Sequence, residues 1–125
     1  MSADYRFFES RQLQKSPLYQ SLKEPFKVYI QTGNNQSMFG RDELYDRNPN
    51  CVANEVRHVH VCEVSQYNLT KDQFNNTSDV HIVYCCGFSD PNAIFIIAVL
   101  SPDAHKQANN LFLASANVMA EKFRN

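Results

Sequence analysis

The segment "DVHIVYCCGFSDPNAIFIIAVL" (residues 79–100) reads as a β-hairpin, and the rest of the chain is best understood outward from it. Val80–Cys85 alternates, with Val80, Ile82 and Tyr84 on one side and His81, Val83 and Cys85 on the other. That period of two marks a strand whose faces meet different surroundings. The run "GFSDPN" (87–92) is rich in turn formers. It leads into "AIFIIAVL" (93–100), apolar on both sides, as expected of a central strand covered on both faces.

Just upstream, Val56–Glu63 alternates in the same way. Val56, His58, His60 and Cys62 share one face, while Arg57, Val59, Val61 and Glu63 share the other. The polar link that follows, "SQYNLTKDQFNNTSD", has room for one helical turn. Nearer the start, Ser16 and Pro17 form a helix-opening pair, since proline at the first helical position loses no hydrogen bond. Leu18, Leu22, Phe26 and Ile30 then recur every four residues, and Gly33 is a suitable stop. Pro25 inside this pattern is expected to kink the helix or divide it in two. A short edge strand fits Tyr5–Phe8. Residues 34–50 read as loop, with a single turn or short helix over Asp42–Asp46. After Ser101-Pro102-Asp103, Ala104–Phe123 reads as a closing helix, with Ala104, Ala108, Leu111, Ser115, Val118 and Lys122 along one stripe. The expected fold is α+β in one domain over residues 1–125. One or two N-terminal helices, preceded by the short strand, lead to an antiparallel sheet of three to four strands and a C-terminal helix.

Composition narrows the function. At 125 residues with 43% hydrophobic and 20% charged content, the chain suits one folded unit and not a disordered one. Its apolar run at 93–100 is far too short to span a bilayer, and the first ten residues lack a basic-then-apolar leader pattern, so a cytoplasmic protein is expected. Cys51, Cys62, Cys85 and Cys86 are read as reduced thiols, because two are adjacent and two lie in strands. The net charge is −1, and residues 48–100 carry two basic against five acidic side chains. Binders of free nucleic acid usually show a basic excess, which this chain lacks.

Four histidines then invite three readings. His58 and His60, two apart on a strand, could face one metal ion, with His81 or Cys62 completing the set. The same residues suit burial with satisfied hydrogen bonds. The third reading is metal-free phosphodiester transfer. It needs a base for a 2′-hydroxyl, an acid for the leaving 5′-oxygen and positive charge over the phosphate. His58, His60, His81, His105 and Tyr84 offer the proton-handling groups, and Arg41, Arg57 and Lys106 the charge. No C-x-x-C or H-E-x-x-H pattern occurs, so neither a metal nor another cofactor is expected to be required. A cysteine nucleophile is disfavoured, since no strand-to-helix elbow follows Cys85 or Cys86.

The stretches "MFGRDELYD" (38–46), "RHVHV" (57–61), "HIVYCCGFSD" (81–90), "IIAVLSPDAHKQANN" (96–110) and "MAEKFR" (119–124) resemble, in order and spacing, the YafO family of bacterial toxins. The resemblance implies a ribosome-dependent mRNA interferase encoded beside a small antitoxin, distantly related to RelE-like toxins that cut mRNA in the ribosomal A site. The family's marked polar positions fall on Arg41, Asp42, Tyr45, His58, His60, His81, Tyr84, His105 and Lys106. From these, His60 and His81 are expected to transfer protons, with Tyr84 and His58 beside them. Arg41, Arg57, His105 and Lys106 are expected to hold RNA phosphate. The implied partners are the antitoxin from the adjacent gene, the ribosome and mRNA, with no membrane. Two features depart from the family pattern: the chain is not basic, and Arg57 stands where a small residue is expected. A non-catalytic ribosome- or antitoxin-binding module and a small metal-binding protein are the alternatives.

Overall fold

A computed structural model describes residues 4–63 and 65–125; residues 1–3, part of the stretch read for a leader, and Val64, just ahead of the polar link, lie outside it. The fold is α+β, with a five-stranded mixed sheet. Its strands are β1 (Arg6–Glu9), β2 (Phe39–Leu44), β3 (Arg57–Val61), β4 (His81–Cys86) and β5 (Ala93–Leu100), in spatial order β1-β5-β4-β3-β2. The hairpin of β4 and β5 lies at the centre, as its two-sided apolarity requires. The N-terminal strand joins β5 in parallel, so the sheet is mixed rather than wholly antiparallel.

Among the described residues, four α-helices accompany the sheet: α1 (Pro17–Thr32), α2 (Pro49–Ala53), α3 (Ala104–Gln107) and α4 (Asn110–Arg124). The first begins as expected, with the Ser16 hydroxyl accepting from the Tyr19 amide at 3.1 Å and Gly33 in the left-handed region at φ 76°. It remains one helix despite Pro25. The carbonyl that Pro25 cannot bond belongs to Ser21, an exposed residue, so the missing bond falls on the solvent side of the helix. Its buried stripe is Tyr19, Leu22 and Phe26, while Leu18 is turned outward.

Two expectations fail, each for a local reason. Residues 39–44 are strand, not loop, and no helix forms over Asp42–Asp46. The segment pairs with β3, but its register shifts between Phe39 and Asp42, which blurs any alternation. Gly40 sits at that irregularity against the Asn76 backbone, where a Cβ would overlap the Asn76 carbonyl. The closing helix is also broken. Asn109 caps a new segment by accepting from the Phe112 amide at 2.9 Å, so phase is not carried across from Ala104. The buried stripe of α4 is Leu113, Ala116, Asn117 and Ala120, whereas Leu111 and Val118 of the expected stripe are 85% and 53% exposed. Small alanines allow this helix close to the sheet.

The sheet separates two cores. On one face, α1 packs on Val59, Val61, Ile82, Tyr84, Ile94 and Ile96. On the other, α4 and α2 cover Val56, Val83, Cys85 and Ile97. This second cover stops short of the β3–β4 end that carries the histidines. The four cysteines are free thiols, three of them buried. Among the described residues, no helix is long and apolar enough to cross a membrane.

Candidate active site

Cross-strand register assembles the site. His60 and His81 are direct partners on β3 and β4. The adjoining pair is bonded from the Val61 amide to the Val80 carbonyl at 2.8 Å, so His60 and His81 form a non-hydrogen-bonded pair, in which side chains stand closest. Their rings are 4.0 Å apart between centroids. His58, two residues before His60 on the same face, lies 5.0 Å from the His81 ring and 5.6 Å from that of His60. All three are at least nine-tenths buried.

These rings floor an open cleft of about 1030 Å³. Arg41 and Tyr45 line one wall, Ser78 and Asp79 another, and His105 and Asn110 the side toward α3 and α4. Tyr45 stacks on His58 at 4.1 Å with an interplanar angle of 13°. Arg41 is steadied by its Nε donating to the Phe74 carbonyl at 2.9 Å, with its guanidinium over the Phe74 ring. This leaves its terminal N–H groups for an anion. His105 is fixed at the rim because the Ala104 amide donates to the Asp79 carbonyl at 3.0 Å.

Ser78 organises the two paired rings. Its amide donates to His60 Nδ1 at 2.8 Å, and its carbonyl lies 3.0 Å from the same nitrogen. A bare Nδ1 therefore bonds the amide, and a protonated Nδ1 bonds the carbonyl: either state of His60 has a partner. The same carbonyl accepts from His81 Nε2 at 3.1 Å, leaving His81 Nδ1 with its lone pair. His81 Nδ1, His58 Nδ1 and the Tyr45 hydroxyl are buried without a hydrogen-bond partner among the described residues.

Burial and mutual repulsion keep the rings neutral. Desolvation lowers His58 to about 3, helped by the nearby His81 and His60. Desolvation likewise lowers His81 to about 4, with His60 adding to the effect. His60 is lowered by burial and by Arg41 and His105, against an opposing bond from Ser78. Burial raises the Tyr45 hydroxyl above the ordinary tyrosine value.

The residues singled out in the sequence therefore divide. His58, His60, His81, Arg41 and His105 meet in the cleft. Tyr84 does not: it sits on the α1 face, 5% exposed, with its hydroxyl donating to both Asp42 carboxylate oxygens at 2.6 and 2.8 Å. The register shift after Val83 does not carry it across the sheet. Arg57 belongs to that same opposite face, its Nε 3.3 Å from Asp42 Oδ1. Lys106 is exposed outside the cleft, on a four-residue helix too short to offer an anion-binding end. Sequence reading does not find Ser78, hidden in a polar link, and gives Tyr45 no role in the site. Tyr45 follows directly on β2, where Glu43 and not Tyr45 is the register partner of His58, so no local pattern signalled its stacking on that ring.

A family model described as "Toxin YafO, type II toxin-antitoxin system" matches residues 27–125. The chain is 36% identical over 110 residues to the mRNA interferase toxin YafO of Escherichia coli (strain K12), covering 83% of each. No solved structure matches.

Proposed function

The chain belongs to the YafO family of type II toxin–antitoxin toxins, and from that premise we propose that it cleaves translated mRNA on the ribosome by metal-independent acid–base chemistry. Convergence of three imidazoles on the floor of an open cleft is the observation that carries this reading. The small α+β fold agrees with a RelE-like toxin domain. In the first step the lone pair of His81 Nδ1 takes the proton of a 2′-hydroxyl. The 2′-oxygen attacks phosphorus, the bond to the 5′-oxygen breaks, and His60 delivers a proton to that oxygen. A 2′,3′-cyclic phosphate and a 5′-hydroxyl result. Two rings 4.0 Å apart resist double protonation, so an approaching phosphate draws one proton into the pair. One base and one acid are then present together. Ser78 supports this exchange because both states of His60 Nδ1 find a partner. Arg41 and His105 stand at the rim where the phosphate oxygens would lie.

Ribosome dependence follows from charge. A chain of net charge −1 has little long-range attraction for free RNA, so the ribosome must hold the message against the cleft. Type II membership implies an antitoxin, and covering this cleft would restrain the toxin. The test is single-turnover cleavage of one labelled mRNA, with and without programmed ribosomes, in the presence of chelator. Cleavage only on ribosomes, restrained by the co-expressed product of the adjacent small gene, is expected. Equal rates on free RNA would overturn ribosome dependence, and no cleavage on ribosomes would overturn the nuclease reading.

A further inference from the structure

We propose that His58, His60 and His81 bind one divalent transition-metal ion of the zinc class, and that the bound ion holds the cleft inactive. Three ring nitrogens, one from each histidine, lie within 4.8 Å of one another. Around a single tetrahedral zinc, with bonds of about 2.0–2.1 Å, neighbouring nitrogens stand roughly 3.4 Å apart, a separation that small ring rotations can reach. Ser78 can orient the donors of both paired rings. One Ser78 carbonyl has two lone pairs, enough to accept from Nδ1–H of His60 and Nε2–H of His81, at 3.0 and 3.1 Å. The bond to His81 leaves its Nδ1 as a free donor. An ion would select the His60 tautomer whose Nδ1–H meets the Ser78 carbonyl rather than the one whose bare Nδ1 accepts from the Ser78 amide at 2.8 Å. That choice frees Nε2, in the way that outer carbonyls orient metal-bound histidines. The third donor, His58 Nδ1, is buried without a partner, as is His81 Nδ1. An ion would satisfy both orphaned atoms, and the open cleft leaves a fourth position for water.

The sequence offered no four-ligand pattern because the set comes from cross-strand register rather than spacing. Cys62 is not part of it, since its thiol lies 3.8 Å from the Thr77 carbonyl. Among the neighbouring charges, Asp79 favours a cation here, while Arg41 and His105 oppose it. The resulting site would be moderate in affinity and reversible, which suits a regulator. Inhibition rests on the nuclease reading: coordination removes the lone pair His81 needs and fixes His60 away from proton delivery. Binding itself does not depend on that reading.

The experiment uses the metal-free full chain. Zinc competition against a chromophoric chelator, thermal shift and cobalt(II) absorption would report binding. One ion per chain is expected, with a nitrogen-type cobalt spectrum free of thiolate charge transfer and a raised melting temperature. His58→Ala, His60→Ala and His81→Ala should each weaken binding on the order of 100-fold or more. Gln replacements serve where alanine variants do not fold, and Cys62→Ser should bind like the parent. Absence of stoichiometric binding, or binding lost in Cys62→Ser but kept in the histidine variants, would overturn the site. Zinc-loaded protein should cut mRNA on programmed ribosomes at least about tenfold more slowly than metal-free protein, with recovery in chelator. Faster cleavage with zinc would overturn the inhibitory role and the metal-free mechanism together. Binding without any cleavage, loaded or not, would support the site and overturn only the nuclease reading.

Discussion

The two faces of the sheet treat buried polar groups in opposite ways. On the α1 face, Asp42 gathers Tyr29 at 2.7 Å, Tyr84 at 2.6 Å and Arg57 at 3.3 Å, so every polar group in that cluster has a partner. On the α4 face, two imidazole nitrogens and one tyrosine hydroxyl are buried unpaired, all from residues lining one cleft. An unmet buried donor or acceptor costs about 1–3 kcal/mol, so a cluster of them is tolerated only where something else is gained. The satisfied face suits a stabilising role, and the unsatisfied face suits the ligand-binding role proposed above. Apart from Tyr29, both clusters come from the stretches that carry the family resemblance, so only geometry separates the two roles.

The contrast breaks most visibly at Asp42. Asp42→Ala would strand two tyrosine hydroxyls and unpair a half-buried arginine, and should destabilise the fold by roughly 3–4 kcal/mol. Denaturant unfolding measures this directly. Cleavage per folded molecule should stay within a few-fold of the parent, and a proportionally larger loss would bring Asp42 into the chemistry. Next comes His60→Ala or His81→Ala, each expected to slow single-turnover cleavage on programmed ribosomes by about 10²-fold, near 2.7 kcal/mol of transition-state stabilisation. Ribosome binding should be nearly unchanged. Rates within about threefold of the parent for both variants would clear the histidines and shift suspicion to His105 and Tyr45.

Strands with clean alternation were legible: β3, β4 and β5 appear nearly where the pattern places them, and His58, His60 and His81 share the face their parity dictates. Parity also sets Tyr84 opposite His81, so only a twist or bulge of the strand could bring the two into one cleft. The register does shift beside Tyr84, but without moving it to the other face. What local pattern could not show was tertiary. Residues 39–44 form a strand because β3 offers an edge, and Gly40 admits the Asn76 backbone. The phase of α4 depends on a cap at Asn109 that interrupts an otherwise helix-favouring run. Ser78 acts through its backbone, which side-chain chemistry does not advertise.

Acid should expose the difference between the faces one histidine at a time, each share smaller than the effects above. The folded-state values of His58 and His81, about 3 and about 4, lie below the ordinary 6.5. As pH falls below 6.5 the unfolded chain takes up protons that the folded chain refuses, so stability declines with falling pH. The decline persists down to about 4 for His81 and about 3 for His58. Each histidine contributes about 1.4 kcal/mol per pH unit inside its window. Melting curves between pH 6.5 and 5 isolate this effect from most carboxylates. His81→Gln, which keeps a donor for the Ser78 carbonyl, should flatten the slope by about one histidine's share. An unchanged slope would mean that His81 accepts a proton in the folded protein as readily as in the unfolded one.

The smallest expected effect is the sharpest comparison, because it tests Tyr84, a motif tyrosine three residues from His81. Its hydroxyl is buried and donates to Asp42, while burial and that carboxylate push its ionisation well above the ordinary range. Such a group neither reaches the cleft nor releases a proton near neutrality. Tyr84→Phe removes only the oxygen and keeps the ring against Phe26, whose centroid is 5.2 Å away. Asp42 retains Tyr29 and Arg57, so the loss should be near 1 kcal/mol, the usual net contribution of one hydrogen bond. Cleavage on programmed ribosomes should remain within about threefold of the parent. A fall approaching that of His81→Ala, in a variant that melts within a few degrees of the parent, would mean that Tyr84 reaches the scissile phosphate in the ribosome-bound state. The division of labour between the two faces would then be wrong.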